Sequence, residues 1–187
     1  MRAGAEPVDA FVERIAALHE RLGIPSDYAA RSGLRLQREP AELVEVQPGR
    51  SSRRHRLTPD AAARWARLEV AAEAEGIVLL VISAYRSAEY QASLIERKLA
   101  RGERIEDILQ VNAAPGYSEH HTGCAVDIGV PGQDPLTEAF ETTSAFLWLG
   151  RNAARWGFGL SYPRDNPHGI VYEPWHWAFH GGMDSVP

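Results

Sequence analysis

Two stretches of the chain place imidazole and carboxylate groups close together. In the first, His120 precedes Asp127 by seven positions, with Gly123 and small residues between them. In the second, further along the chain, Glu173 precedes His176 by three positions. Imidazole nitrogens and carboxylate oxygens are ligands that zinc and similar borderline metals accept. The two stretches predict a metal site if the fold brings them together.

The residue types also indicate what such a site could do. Three protein ligands, His120, Asp127 and His176, would leave a fourth position for water, as in catalytic rather than structural zinc sites. Zinc lowers the pKa of bound water to about 7, and Glu173 is the candidate base for the proton. Arg86 is the candidate cation for a developing oxyanion or a substrate carboxylate. A metal, a base and a cation are the parts of a metallopeptidase.

Each of these residues also has a simpler interpretation. His176, between Trp175 and Trp177, could be a hydrogen-bonded core histidine, and Glu173 could form a surface ion pair. Asp127 lies in an apolar segment, where a carboxylate needs a metal or an arginine beside it. His121 follows His120 directly, so the ligand could be either one. The seven-residue spacing to Asp127 favours His120.

The segments around Arg86 predict a strand followed by a helix. The apolar run Ile77–Ile82 predicts a buried central strand, and Arg86 lies four residues after its end, in the stretch Ser83–Ser87. Ser87 is a suitable cap for a helix over residues 88–100. A polar cluster between a strand and a helix is a common place for binding residues.

The remaining patterns predict an α+β fold, with helices on one face of a small, mostly antiparallel sheet. We expect helices over residues 8–22, 58–75, 102–109 and 144–156, the last with Leu147 in the core. We expect strands over residues 34–36, 43–46, 124–129, 157–160, 170–172 and 175–179. We divide the chain into an N-terminal helical or irregular extension, 1–56, packed on a catalytic domain, 57–187.

Composition narrows the classes of function. The 187 residues carry a net charge of −5, which argues against nucleic acid or an anionic membrane as the main partner. The basic run Arg50–Arg56 is expected to be a solvated loop rather than a polyanion-binding patch. The single cysteine, Cys124, excludes an internal disulfide and is expected to be a small buried side chain.

Neither a membrane span nor a signal peptide is recognisable in the sequence. No run reaches the roughly 18 apolar residues of a transmembrane helix, and residues 1–11 lack the apolar core of a leader. The chain as given is therefore expected in the cytoplasm, or in the periplasm or cell envelope if a leader was removed. We expect a monomer.

The motif Ser118-x-His120-x-x-Gly123-x-Ala125-x-Asp127, followed by Glu173-x-x-His176, resembles the signature of the VanY/VanX-type zinc D,D-peptidases. The stretch SAYRSAEYQ resembles the upstream segment of that family. The resemblance implies a small antiparallel sheet flanked by helices, with a zinc site at the sheet. It implies Zn²⁺ on His120, Asp127 and His176, and Glu173 as base with Arg86 as the second catalytic residue. It also implies peptide contacts from Ser118 and Gln91, and we add Tyr85 and Trp175 as expected substrate contacts.

The resemblance leaves the scissile bond open. The leading hypothesis is a D,D-carboxypeptidase that removes the terminal D-Ala of a peptidoglycan stem peptide. Alternatives are an L,D-carboxypeptidase, a D-Ala-D-Ala dipeptidase and an endopeptidase that cuts within the stem. A non-catalytic binding module, to which hedgehog domains are comparable, is the alternative from another class. The presence of both Glu173 and Arg86 favours an enzyme, because a binding module needs neither a base nor an electrophile.

Overall fold

The computed structural model describes residues 9–46 and 54–181. Its helices are α1 (Ala10–Leu22), α2 (Tyr28–Ser32), α3 (Pro59–Ala74), α4 (Ala88–Leu99), α5 (Ile105–Val111) and α6 (Ser144–Asn152). Its strands are β1 (Val44–Val46), β2 (His55–Leu57), β3 (Leu80–Ser83), β4 (Ala125–Gly129), β5 (Phe158–Leu160) and β6 (His176–Phe179). Short 3₁₀ helices cover Glu119–Thr122, Glu138–Thr142 and Ala153–Trp156. No described helix combines the length and apolarity that crossing a membrane requires.

A four-stranded antiparallel sheet, in the order β3-β4-β6-β5, lies at the centre of the fold. In its register Asp127 of β4 lies opposite His176 of β6 and, on the other side, Ser83 of β3. Side chains alternate between the two faces of a strand. Val126 and Ile128 therefore join the core, while Asp127 faces the opposite side together with His176.

The main apolar core lies between this sheet and the helices α3 and α6. Trp65 and Leu68 of α3 are fully buried there with Val126 and Leu149. The Trp65 ring meets Phe158 of β5 edge-on, with 6.0 Å between ring centroids. This packing holds β4 and β6 in place from behind, so the opposite face of the sheet is free to carry polar groups.

A second apolar cluster joins the N-terminal helices to α4 and α5. Ile15, Leu18 and Leu22 line the buried side of α1 and pack with Ile95 and Ile108. Residues 44–46 pair with residues 55–57 in the β1–β2 hairpin, which extends across the expected division at residue 56. The division into two domains stays a prediction.

Local features mark the ends of the helices, and the predicted cap at Ser87 is confirmed. Asp9 and Ser87 accept hydrogen bonds from the first turns of α1 and α4. Pro59 opens α3 after Thr58. Gly23 ends α1 in the left-handed conformation, with φ 67°. The α+β fold class, with its small antiparallel sheet and flanking helices, is also confirmed.

Other expectations about elements were wrong. The apolar run 77–82 does not form a central strand: β3 begins at Leu80 and lies at an edge of the described sheet. Ile77 instead closes the end of α3 by donating to the Ala72 carbonyl. Residues 34–36 and 170–172 form no strand, since Leu34 packs into the apolar clusters and Val171 makes a single backbone bond to Gln110. Leu147, expected in the core, is 54% exposed.

The basic run Arg50–Arg56 lies partly outside the described residues. Its last two residues, His55 and Arg56, belong to β2 rather than to a loop.

Candidate metal centre

Two adjacent strands and one short helix position the three candidate ligands. Asp127 is the middle residue of β4, and His176 begins β6 directly opposite it. His120 lies in the 3₁₀ helix Glu119–Thr122, which ends at Gly123 in the left-handed conformation, just before β4. A Cβ at Gly123 would lie 2.7 Å from Leu43, so the turn requires glycine both for its φ of +67° and for space.

The three side chains converge in a buried cluster. One nitrogen or oxygen from each of His120, Asp127 and His176 lies within 4.8 Å of the others. Asp127 Oδ2 is 3.2 Å from His120 Nε2, and its Oδ1 is 3.1 Å from His176 Nδ1. At most 4% of each of these residues is exposed. The sequence prediction that the two stretches meet is confirmed.

The orientation of His120 leaves one ring nitrogen available to a metal. Its Nδ1 donates to the Ala84 carbonyl at 2.6 Å, which assigns the lone pair to Nε2. Nε2 is buried and makes no hydrogen bond of good geometry, although it faces Asp127. Burial, with the charge of Arg86, lowers the pKa of His120 to about 4, so the ring is neutral at physiological pH.

Glu119 orients His176 and was not singled out in the sequence. Its Oε2 lies 2.9 Å from His176 Nε2. Burial would raise the pKa of Glu119, but the hydrogen bond and charge of His176 lower it to about 2, so it accepts the Nε2 proton. Nδ1 of His176 then faces Asp127 and the cluster. Glu119 was missed because the sequence motif Ser118-x-His120 places no requirement on the residue between them.

The electrostatics of the cluster suit a cation. Burial alone would lower the pKa of His176, but the hydrogen bonds to Asp127 and Glu119 outweigh it and raise the pKa to about 10. Burial opposes ionisation of Asp127 as well, yet the two histidines hold its pKa well below the usual range. The cluster therefore keeps two buried carboxylates ionised and holds positive charge between them. Two imidazoles and a carboxylate are a donor set that zinc accepts.

Glu173 lies beside the cluster with 12% of its side chain exposed. Its Oε2 is 3.8 Å from His176 Nδ1, near the ligands but too far for a hydrogen bond. Burial raises the pKa of Glu173 to about 7; attraction to His176 opposes this shift and repulsion from Asp127 adds to it. A carboxyl group with this pKa can both take up and release a proton near neutral pH.

Arg86 is fixed by backbone hydrogen bonds to the two adjacent histidines. Its N–H donates to the His120 carbonyl at 3.1 Å, and its own carbonyl accepts from His121 Nδ1 at 2.7 Å. Its Nε is buried without a hydrogen-bond partner. Arg86 borders both the cleft that contains Glu173 and a smaller cavity beside the ligands. A guanidinium with an unused donor at this position can bind an anionic group.

The smaller cavity has a volume of about 30 Å³ and is lined by Ser118 and Gln91 as well as by His120 and His176. Both Ser118 and Gln91 are buried. The amide of Gln91 donates to the Ala113 carbonyl at 2.8 Å, while its oxygen has no hydrogen-bond partner. Two predicted peptide-binding residues thus lie together, beside the ligands.

Of the two other predicted substrate contacts, Trp175 lies at the cleft and Tyr85 does not. Trp175 lines the cleft, whereas Trp177 packs into the core. Tyr85 lies outside both cavities that border the cluster and packs under the Arg56 guanidinium. Its role as a substrate contact stays a prediction without support from the geometry.

His121 is directed away from the cluster. Its Nδ1 donates to the Arg86 carbonyl, and its Nε2 accepts from the Gly116 N–H at 3.0 Å. Both ring nitrogens are therefore used by backbone groups. Of the two adjacent histidines, His120 is the one that faces the candidate metal centre.

Comparison with known proteins identifies the family. The VanY D-alanyl-D-alanine carboxypeptidase family matches residues 54–182. The chain belongs to the VanY family. A relative, the putative carboxypeptidase YodJ of Bacillus subtilis, is 30% identical over an alignment 187 positions long, which covers 95% of this chain and 64% of that protein. The chain thus spans less than two thirds of the length of this relative.

Two solved structures of the same type resemble the fold. The LD-carboxypeptidase LdcB, whose structure addresses peptidoglycan recognition, has a TM-score of 0.68 and 31% identity, covering 78% of this chain and 71% of LdcB. A VanY D,D-pentapeptidase from a VanB-type resistance cassette, in complex with Zn(II), has a TM-score of 0.62 and 29% identity, covering 80% and 88%. The predictions of a VanY-type metallopeptidase and of zinc as its metal are confirmed at the level of the family.

Proposed function

We propose that the protein is a zinc-dependent D,D-carboxypeptidase that hydrolyses the terminal D-Ala-D-Ala bond of peptidoglycan stem peptides. The observation that carries the proposal is the position of Glu173, a buried carboxyl group 3.8 Å from a candidate ligand and in one cleft with Arg86. A binding module of the same fold has no use for a base at this position. Membership of the VanY family supports the choice of reaction.

In this proposal His120 Nε2, a carboxylate oxygen of Asp127 and His176 Nδ1 hold the zinc ion. When bound, zinc makes a water molecule more acidic and polarises the scissile carbonyl. The Glu119 carboxylate and the Ala84 carbonyl act on the far nitrogens of the two rings and keep the free lone pairs directed inward.

Glu173 moves the proton. As a carboxylate it accepts a proton from the attacking water, and it then gives that proton to the nitrogen of the departing D-Ala. Its pKa of about 7 in the metal-free site is close to the value that both transfers need. The charge of a bound cation would lower this pKa and favour the base form.

Arg86 and the small cavity bind the peptide. The guanidinium of Arg86 stabilises negative charge on the oxygen of the attacked carbonyl. Ser118 and Gln91 line a small cavity of about 30 Å³ beside the ligands. A cavity this small favours a leaving residue with a small side chain, such as alanine.

An L,D-carboxypeptidase is the second candidate, because the fold resembles the LD-carboxypeptidase LdcB with a TM-score of 0.68. Both reactions release one terminal D-Ala, and they differ in the residue that precedes it. The same catalytic groups would serve both, so the difference would arise in the cleft on the acyl side.

Incubation of the zinc-loaded protein with a stem pentapeptide and, separately, with its tetrapeptide tests the proposal. We expect mass spectrometry to show loss of one alanine from the pentapeptide and no reaction of the tetrapeptide. Cleavage of the tetrapeptide alone would replace the proposal with the L,D activity. Loss of two alanines together or a cut within the stem would indicate a dipeptidase or an endopeptidase, and no cleavage would contradict the enzyme proposal.

A further inference from the structure

The cleft beside the metal centre carries more positive charge than the chemistry requires. It has a volume of about 410 Å³, and residues of α4 line part of it. Its charged lining consists of four cations, Arg86, Arg97, Lys98 and Arg101, and two acids, Asp127 and Glu173. The chain as a whole has a net charge of −5, so this wall departs from the general charge of the molecule.

Among the described residues, Arg86, Arg97 and Lys98 form no ion pair, and of these only Arg86 has a role in the proposed reaction. Arg101 forms an ion pair with Glu103 at 2.8 Å. Arg97 hydrogen-bonds to Ser93 and lies over the Tyr90 ring, and neither contact carries charge. Within residues 9–46 and 54–181, no carboxylate oxygen lies within 4 Å of the charged nitrogens of Arg97 or Lys98.

The end of a helix explains only part of this arrangement. Arg97 and Lys98 are in the last turn of α4, where cations interact favourably with the helix dipole. Side chains that extend into solvent would interact with the helix dipole equally well. Lys98 is instead half-buried in the cleft wall, where burial lowers its pKa and attraction to Glu103 and Glu173 acts in the opposite direction. Lys98 is thus within electrostatic reach of the candidate base.

Apart from Asn112, the remaining wall of the cleft is apolar. Leu94 lies one turn before Lys98 on α4, and Val111, Val171 and Leu136 line the same space. The three residues Val111, Val171 and Leu136 belong to the exposed large apolar residues of the protein. A group that matches this cleft has an aliphatic part and ends in an anion.

We infer that Arg97 and Lys98 form a binding site for a carboxylate on the substrate residue that precedes the terminal D-Ala-D-Ala. The inference rests on the proposed function for the direction of the peptide, with the leaving residue in the small cavity and the acyl part in the cleft. The preferred substrate then has, at this position, an aliphatic side chain that ends in a free carboxylate.

Binding of two matched peptides to the zinc-loaded Glu173→Ala chain tests this inference by calorimetry. Both peptides end in D-Ala-D-Ala and differ only in the preceding residue, which is α-aminopimelate in one and its side-chain amide in the other. We expect the acid to bind about tenfold more tightly than the amide, as for a charged hydrogen bond that is partly exposed. The double variant Arg97→Gln/Lys98→Met in the same background should reduce the difference to about twofold, with the affinity for the amide unchanged.

A charge-matched control separates local from general electrostatics. The variant Arg67→Gln/Arg151→Gln removes two exposed cations from α3 and α6, which do not line the cleft, and should keep the tenfold preference. Equal binding of acid and amide by the parent chain would overturn the inference, as would a preference that survives in the Arg97/Lys98 variant.

Hydrolysis by the chain with Glu173 intact keeps this result apart from the proposed function. Cleavage of both peptides at equal kcat/KM, with equal binding, would overturn the carboxylate site and leave the D,D-carboxypeptidase in place. Tight, acid-selective binding without any cleavage would support the carboxylate site and contradict the D,D-carboxypeptidase.

Discussion

The candidate metal centre depends on which nitrogen each imidazole presents. For His120 the choice is made by a backbone carbonyl, and for His176 by the carboxylate of Glu119. These two acceptors lie outside the set of ligands, yet each directs a lone pair toward Asp127. Outer acceptors of this kind fix the ring orientation and increase the basicity of the ligating nitrogen.

Removing the Glu119 acceptor should weaken zinc binding. We expect Glu119→Ala to lower the zinc affinity about 10- to 100-fold, and Glu119→Gln to lose less, because an amide oxygen still accepts the Nε2 proton. Competition with a chromogenic chelator measures the affinity, and ¹⁵N NMR of the zinc-loaded protein reports the His176 tautomer. Glu42→Ala removes an exposed carboxylate as a control. An unchanged affinity together with an unchanged tautomer in Glu119→Ala would refute the role.

Replacing Glu173 should separate metal binding from catalysis. Glu173→Gln keeps the size of the side chain but cannot accept a proton, so we expect kcat to fall about 10²- to 10⁴-fold. The zinc content should stay at one ion per chain, as measured by atomic emission. His176→Ala should lose both the bound zinc and the activity. If Glu173→Gln lost its zinc, Glu173 would have to be counted among the ligands.

Zinc binding should release a proton from His176. In the metal-free site the pKa of His176 is about 10, so the ring is protonated at about pH 7.5, and zinc needs the Nδ1 lone pair. The proton must leave when the metal binds, so the zinc affinity should increase with pH, about tenfold per unit, until the pH passes about 10. Calorimetry in buffers of different ionisation enthalpy counts the proton. A heat independent of the buffer would contradict this prediction.

At the residue scale the sequence predicts the types of ligand but not their environment. The spacing of His120 and Asp127, and the later His176, was enough to propose a metal site. The contact between Glu119 and His176 joins residues 57 positions apart, and it exists only because the 3₁₀ helix lies over the start of β6. No local pattern contains that information.

At the scale of elements, signals within a few residues predicted structure well, and pairing between distant segments was predicted less well. The cap at Ser87 acts locally and was predicted from the sequence. The apolar residues 77–82 predicted burial correctly for Leu79 and Val81, but burial does not tell a central strand from an edge strand. Of residues 170–172, Ile170 packs with Ala113 and Tyr162 outside any strand, and Val171 is exposed.

The loop before His120 is held by close packing of α1 on Gly116. A Cβ at Gly116 would lie 2.8 Å from Ile15, and the residue has a φ of +85°. Gly102 has the same φ with nothing within 4 Å, so it provides a matched control. We expect Gly102→Ala to cost about 1 kcal/mol of unfolding free energy from backbone strain alone, and Gly116→Ala about 2–4 kcal/mol. Urea unfolding measures both, and equal losses would mean that Ile15 moves aside freely.

At the scale of the whole molecule, the N-terminal helices are connected to the site through α4. Glu39 accepts a hydrogen bond from the Ala88 N–H at the start of α4, and Arg14 bridges Glu39 and Glu89. His19 of α1 is partly buried and hydrogen-bonds to the Pro115 carbonyl at 2.8 Å. The sequence predicted that α1 packs on the core, but not that it contacts the loop leading to His120.

These contacts predict that the described chain unfolds as one unit. Leu18 is buried in the cluster shared by α1 and α4, far in sequence from the metal centre. Leu18→Ala should lower the unfolding free energy by about 2–5 kcal/mol, and it should move zinc release and loss of helical circular dichroism to the same lower urea concentration. Val12→Ala, at a residue of α1 that is 42% exposed, should change neither by more than about 0.5 kcal/mol. Zinc release at an unchanged urea concentration, after an earlier loss of helix, would instead show that residues 1–56 fold independently of the catalytic domain.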